Sequence, residues 1–563
     1  MRLINTSTGQ FEEFIGRNIP KYAILSHTWE GGEVSLKDVE NGIHQNKEGW
    51  KKIAKTCELA ARDGLGYAWV DTCCIDKSSS AELTEAINSM YRWYQRAEVC
   101  YAFLSDLPAS RHLDDTLRNC RWFTRGWTLQ ELIAPEHVLF FDQEWNNRGS
   151  KRALAEQLSC ITEIGVLVLR GQYPLHMIAV AQKMSWASFR ETTRTEDTAY
   201  CLLGIFDVNM PLLYGEEENA FRRLQEEIIK STADLSIFAW TLPFPISERR
   251  TLCVMLAESP AAFSKCGSLA QLPLPDRTEF SISNTGVKTR AQVLWQSIPG
   301  KKTYSYVLPL DCVSPAGEAL GVRLRKVGPD QFLREDTCTL VKCENGSSNP
   351  PREIYLLTRP LQPLFDQSLR NIPANLLIPW TRTHALQIEL LLEMHIYDAW
   401  PWGRFDNEDQ VFFVTGNRQS DSCILRLNGV FNFPFDEYYV GCSFDCMLYA
   451  VGWANATPGH LQCSLFEYRP YAERVNELKS RISDWDHDSA HVLGLLAYHQ
   501  VPKSAGVAKK IPGSSKSALL SFTPRLVSDP TICHKDFWRI EFSCRVYETA
   551  ELPLIDQGEW TVE

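Results

Sequence analysis

The stretch RGWTLQE, residues 125–131, holds an arginine, a tryptophan and a glutamate within seven positions. Trp127 and Glu131 are four apart, so on a helix they share a face. A carboxylate beside an aromatic ring can stabilise positive charge that develops on a bound molecule, as at the oxocarbenium-like centre of glycoside hydrolysis. One such electrostatic group typically accounts for about 3 kcal/mol of barrier. Arg125 suits a phosphate, because its planar fork pairs with two phosphate oxygens at once. The same residues have plainer uses: a helix cap or ion pair for Glu131, a surface role for Arg125, core packing for a tryptophan in a chain with 17 of them.

Two further polar clusters follow apolar runs. In KYAILSHTW (21–29) the run ends on Ser26, His27 and Trp29, and in YAWVDTCCIDK (67–77) it ends on Asp71, Cys73 and Asp76. Trp29 could stack on a flat ligand ring, a contact typically worth about 1–3 kcal/mol for a nucleobase. His27, Asp71 and Asp76 are of the types that orient a ribose or position a water. Hydrogen bonding within their own loops is the simpler alternative. Cys73 or Cys74 with His27 gives a rival reading, a cysteine hydrolase, supported by residue type alone.

Positioning these groups requires an alternation of strands and helices. Strands are expected at 22–25, at the start of 67–77, in 99–107 and at 137–142, the second and third each ending in a polar tip. Between them lie a helix carrying Trp50, Ile53, Cys57 and Ala61 and stopped by Gly64 and Gly66, and a helix capped by Ser80 with Leu83, Ile87, Met90 and Tyr94 on one stripe. RGWTLQELIAP (125–135) reads as one short helix ended by Pro135. Such alternation predicts a parallel sheet with helices on both faces, and ligands then sit beyond the carboxyl ends of the strands. The polar clusters fall at those ends, as do Ser105 and Asp106 after the third strand.

Residues 151–240 read as a helical extension, closing on a helix with Phe221, Leu224 and Ile228 on one face. From 241 to 563 the period becomes two. Leu386, Ile388, Leu390, Leu392, Met394 and Ile396 alternate in one run, and Trp538, Ile540, Phe542, Cys544 and Val546 in another. This predicts a mainly β region, an antiparallel sandwich or barrel.

Composition bounds the function. A chain of 563 residues exceeds what one core sustains, so at least two domains are expected. Lysine and arginine number 58 against 69 acids, a formal charge of −11, which argues against a nucleic-acid partner. No apolar stretch is long enough for a membrane span, and no signal segment opens the sequence. The 18 cysteines are scattered without a CxxC pair, so no metal site is expected and the thiols are read as reduced and packed.

Three blocks, YAILSHTW (22–29), AWVDTCCIDK (68–77) and RGWTLQELIAP (125–135), resemble in order and spacing the fungal HET (heterokaryon incompatibility) domain family. EDTAYCLLGIFDVNMPLLYGE (196–216) resembles the region that follows the domain in many fungal members. The resemblance covers residues 1–240 and implies a cytoplasmic role in non-self recognition and regulated cell death. HET domains are in turn distantly similar to TIR domains, some of which cleave NAD between nicotinamide and ribose. In the TIR pattern a short helix after the third strand carries an aromatic–cysteine pair and then the catalytic acid. GWTLQEL (126–132) falls in that place, with Glu131 in the catalytic position and Thr128 where the cysteine would stand.

The expectation is therefore an α/β HET core at 1–150, a TIR- or flavodoxin-like parallel sheet with added helices, followed by the helical extension and the β-rich region. Glu131 would be catalytic; Ser26, His27, Trp29, Asp71, Asp76, Arg125 and Trp127 would bind substrate; NAD would be substrate, with no cofactor. The alternative is a non-catalytic module that self-associates through the HET domain or recruits a protein partner.

Overall fold

A computed structural model describes residues 1–242 except 17 and 110–115, residues 252–359 except 273–278, 298–303 and 344–350, and residues 385–391, 394–400, 404–406, 408–413, 423–435, 438–451, 462–467, 472–473, 506–512, 514–527 and 537–551. The first sheet has seven strands: β1 (Arg2–Asn5), β2 (Phe11–Glu13), β3 (Tyr22–His27), β4 (Tyr67–Trp69), β5 (Val99–Phe103), β6 (Val138–Phe141) and β7 (Asn147–Ser150), in the order β2-β1-β4-β3-β5-β6-β7. β4, β3, β5 and β6 are mutually parallel, while β1, β2 and β7 run antiparallel on the two flanks. The sheet is thus mixed, with a parallel centre. β3 is buried at every position, as its unbroken apolar run demands.

The connections form helices for legible reasons. Trp50–Arg62 buries Ile53, Thr56, Leu59 and Ala60, a face turned slightly from the one expected, since Ala61 is exposed. Gly64 ends it with φ +77°, a left-handed conformation that a side chain resists. Ser80–Arg96 is capped by Ser79, whose hydroxyl accepts from the Glu82 N–H; the expected cap, Ser80, is the first helical residue. Its stripe of Ile87, Met90 and Tyr94 is buried, and the Tyr94 hydroxyl donates to the Leu25 carbonyl of β3 at 3.0 Å. The helix of the RGWTLQE segment is short, Thr128–Ile133, and buries Leu129 and Leu132 together with Thr128, Gln130 and Glu131.

Beyond residue 240 the chain is mostly strand. A ten-stranded sheet contains Gly286–Ala291, Arg352–Leu357, Gln331–Glu335, Ala319–Gly328 and Tyr304–Val313, and its apolar side belongs to the same core as the first sheet. One cluster runs from Leu3 to Leu356. The division expected at 240 therefore does not coincide with a break in packing. Trp240 sits under the Arg334 guanidinium at 4.1 Å, and Arg334 donates to the Phe238 carbonyl at 2.6 Å. The change of period at 240 marks a change of secondary structure, and apolar surfaces of a helical and a β segment cover each other equally well.

A second core spans Leu386 to Phe542 between a six-stranded and a four-stranded sheet. The run expected as one strand at 385–396 is divided between them. Ala385–Glu389 pairs in parallel with Phe537–Glu548, while Met394–Trp400 pairs with Cys423–Phe435. An alternating run supplies inward side chains equally well to either sheet, and Ile388 and Met394 meet in the same cluster. Arg325 of the ten-stranded sheet ties this unit on, reaching Asp409 at 2.5 Å and Glu408, and Lys326 donates to the Phe405 carbonyl at 2.8 Å.

Candidate active site

Four parallel strands in the order second, first, third, fourth send their connections away in opposite directions, which opens a crevice at their carboxyl ends. A cavity of about 300 Å³ lies there. His27 and Trp29 reach it from the end of β3, Asp71 and Lys77 from the segment after β4, and Arg125, Trp127 and Glu131 from the RGWTLQE segment. Leu83, Ile87 and Met90 of the Ser80–Arg96 helix supply an apolar wall.

Glu131 is 7% exposed. Its carboxylate accepts from the Ser26 hydroxyl, which in turn accepts from the Trp122 indole N–H at 2.7 Å. Ser26 thus stands behind the cavity and holds Glu131 in place. Burial pushes the Glu131 carboxyl up to about 8; the Ser26 and Tyr94 hydroxyls and the Arg190 charge pull it down, while the Asp71 charge adds to the rise. At neutral pH Glu131 therefore keeps its proton.

His27 is 6% exposed, and neither ring nitrogen has a hydrogen-bond partner. The nearest carboxylate oxygens are Glu33 Oε2, 3.7 Å from Nε2, and Asp71 Oδ1, 3.9 Å from Nδ1, both beyond bonding range. A buried imidazole left in this state is uncommon enough to mark a site. Asp71 accepts from the Trp29 indole N–H at 2.8 Å, and Trp29, 55% exposed, carries the Lys77 ammonium over its ring at 3.5 Å. Trp127 is half-buried, its N–H 3.4 Å from Asp197.

Of the residues expected at the site, His27, Trp29, Asp71, Arg125, Trp127 and Glu131 line this one cavity, with Ser26 one layer behind. Asp76 does not: its carboxylate accepts from the Ser78 hydroxyl and N–H, and the intervening turn Asp71–Cys74 carries it off the crevice. Ser105 and Asp106 are likewise engaged elsewhere, with Glu30 and the Arg121 N–H. Cys73 and Cys74 are buried and neither lines the cavity, and burial holds the Cys73 thiol well above its ordinary range.

The polar residues missed are Lys77, next to the expected Asp76, and a group in the segment after 190. Thr193, Arg194, Asp197 and Tyr214 close one side of the cavity. Asp197 accepts from the Tyr214 hydroxyl at 3.0 Å, and Arg194 covers the Tyr214 ring at 4.4 Å. Behind them Arg190 donates to the Arg125 carbonyl at 2.8 Å and the Thr128 hydroxyl at 2.9 Å. The only signal for that group was the EDTAYCLLG block itself, which gave no clue to its place in space.

Gly126 is the hinge of this contact. Its N–H donates to the Glu191 carbonyl at 2.9 Å, and a Cβ there would lie 2.6 Å from Thr192 Cγ2 and 3.1 Å from Cys201 Sγ. Gly126→Ala is expected to destabilise the chain by about 1–3 kcal/mol through overpacking, read as a lower melting temperature. An unchanged melting temperature would mean the two segments are not in this close contact.

Among the described residues no group of three or more histidine, cysteine or acidic side chains is placed to hold a metal ion, and no helix is long and apolar enough to cross a membrane.

Residues 22–113 match the family model described as Heterokaryon incompatibility protein (HET), and residues 219–319 match one described as Domain of unknown function (DUF8212). The second match straddles residue 240, in keeping with the unbroken core there. No solved structure matches the chain. The chain is 48% identical over 235 residues to Vegetative incompatibility protein HET-E-1 of Podospora anserina, a stretch covering 40% of this chain and 17% of that relative. The chain thus spans about a sixth of the relative's length. Residues 22–113 are thus similar to a HET domain, and a 235-residue stretch of the chain to part of one incompatibility protein.

Proposed function

We propose that this chain acts in fungal non-self recognition and regulated cell death, and that its HET region does so by hydrolysing NAD at the bond between nicotinamide and ribose, in the manner of some TIR domains. The observation that carries the reading is the gathering of Glu131, His27, Trp29, Asp71 and Trp127 around one cavity at the carboxyl ends of the parallel strands. The parallel order β4-β3-β5-β6 is also the one a TIR- or flavodoxin-like sheet requires.

In this reading the nicotinamide ring lies against the apolar wall and the Trp127 indole. The C–N bond breaks, its electron pair leaves with nicotinamide, and water adds to the ribose carbon, releasing ADP-ribose and a proton. The leaving group starts as a pyridinium cation and needs no acid. Glu131 as carboxylate stabilises the positive ribose. Bringing the pyridinium beside Glu131 favours its ionised form, so substrate binding itself draws the proton off. His27 supplies an unengaged nitrogen for a ribose hydroxyl.

Incubation of the purified full chain with NAD tests this. Release of nicotinamide and ADP-ribose is expected, most strongly in concentrated, assembled samples. Intact NAD after prolonged incubation of such samples would overturn the proposal.

One observation favours a second reading. Glu131 is tied to Ser26 and through it to Trp122, an arrangement that suits a structural carboxyl equally well. The domain would then work without catalysis, by self-association or by recruiting a protein partner. In that case Glu131→Gln leaves cell killing intact.

A further inference from the structure

Three cationic side chains line the cavity, none with a close carboxylate partner among the described residues. Lys77, Arg125 and Arg194 converge on the cavity from three separate segments of a chain whose formal charge is −11. Among the described residues none of the three forms a salt bridge within 4 Å, and they rest on aromatic faces or a neutral hydroxyl. Lys77 lies over the Trp29 ring, Arg194 lies over the Tyr214 ring, and Arg125 donates to the Thr193 hydroxyl at 3.0 Å. The cavity's own carboxylates are engaged with other donors. Asp71 accepts from Trp29 and Asp197 from Tyr214, while Glu131 accepts from Ser26 and keeps its proton at neutral pH.

We propose that Lys77, Arg125 and Arg194 form a phosphate subsite, so that the cavity takes a phosphorylated ribonucleoside in preference to the free nucleoside. The proposal rests on the substrate class of the hydrolase reading but not on its chemistry. An ammonium or guanidinium on an aromatic face is held more weakly than one hydrogen-bonded to a phosphate, so an entering phosphate recruits these groups. A second feature directs the ligand beyond its phosphate. His27 is buried against the cavity with both ring nitrogens unengaged, and a buried imidazole accepts or donates one bond on each. A ribose hydroxyl, which both donates and accepts, can bond whichever of these nitrogens faces the cavity. Phosphate at the cationic side chains, a hydroxyl at His27 and a flat ring on the Leu83, Ile87 and Met90 wall then describe one ligand, a ribonucleotide.

Calorimetric titration of the full chain with AMP, adenosine and inorganic phosphate at fixed ionic strength tests this. AMP is expected to bind at least ~10-fold more tightly than adenosine, as charge-assisted bonds to one phosphate imply. AMP should also bind more tightly than inorganic phosphate. The Arg125→Ala, Arg194→Ala double variant should lose the AMP preference and keep its adenosine affinity. Equal binding of AMP and adenosine, no binding of AMP, or an AMP affinity untouched in a folded double variant would each overturn the subsite. Inorganic phosphate binding as tightly as AMP would overturn the ribose-directed part. The comparison within the unaltered chain stands even where the double variant fails to fold. A chain that prefers AMP yet leaves NAD intact sustains the subsite and refutes hydrolysis. A chain that cleaves NAD and nicotinamide riboside with equal kcat/KM sustains hydrolysis and refutes the subsite.

Discussion

Glu131→Gln is expected to lower nicotinamide release from NAD by about 100- to 1,000-fold, the usual effect of deleting one well-placed electrostatic group. The substitution is nearly isosteric, and the amide oxygen can still accept from Ser26, so the Ser26–Trp122 relay survives. The loss should fall on kcat more than on KM, because the charge it removes acts on a cation that forms fully only in the transition state. A pH profile sharpens the test. The unliganded carboxyl titrates near about 8, so kcat/KM of the unaltered enzyme should rise with pH through that region and level off above it. The residual rate of Glu131→Gln should not follow that rise. A variant that keeps full activity, or an unaltered enzyme whose kcat/KM is flat from pH 6 to 9, a window set by that carboxyl, would remove Glu131 from the chemistry.

How much of this was legible beforehand depends on the range over which each signal acts. The strand of KYAILSHTW and the polar residues that end it are adjacent in sequence, and alternation of strand and helix directs strand ends to one side of a parallel sheet. That is why His27, Trp29 and Asp71 could be expected around one crevice with Glu131. Asp76 resembled Asp71 on the same grounds. Only the helical turn Asp71–Cys74 separates them, and it directs the second carboxylate to Ser78 instead. Arg194, Asp197 and Tyr214 reach the cavity from more than 60 residues beyond Glu131, and no local period encodes such a contact. The tight approach that seats them, Gly126 against Thr192, is a fact of three-dimensional packing that a glycine in a sequence only hints at. The β-rich region was legible as period two, but the partition of 385–396 between two sheets was not, because alternation fixes which side chains point inward and not which partner strand they meet.

Glu131 should also make the stability of the chain depend on pH in a way that needs no substrate. In the unfolded chain its carboxyl titrates at 4.5, in the folded chain near about 8. Between these values the folded state holds a proton that the unfolded state has lost, so folding takes up a proton and stability falls as pH rises. Its contribution is fully present below 4.5 and is lost as pH passes through the folded value. The slope approaches about 1.4 kcal/mol per pH unit across the middle of that window. The physical cause is the burial of Glu131 beside Asp71, which penalises the charged form more than Ser26, Tyr94 and Arg190 relieve it. Asp311, raised by burial to about 6, acts with the same sign. Lys151 and Lys183, lowered by burial to about 8, act only above that pH and in the opposite direction. A difference measurement isolates Glu131 from these. Glutamine does not titrate, so the stability of Glu131→Gln relative to the unaltered chain should increase steadily from pH 5 to 7.5, within the window bounded by the two carboxyl values. Melting curves across that range check it. The two should diverge, with the unaltered chain losing ground by several degrees. Parallel curves would mean that the carboxyl is solvated and ionised throughout, which is incompatible with a Glu131 buried at the cavity wall and backed by Ser26.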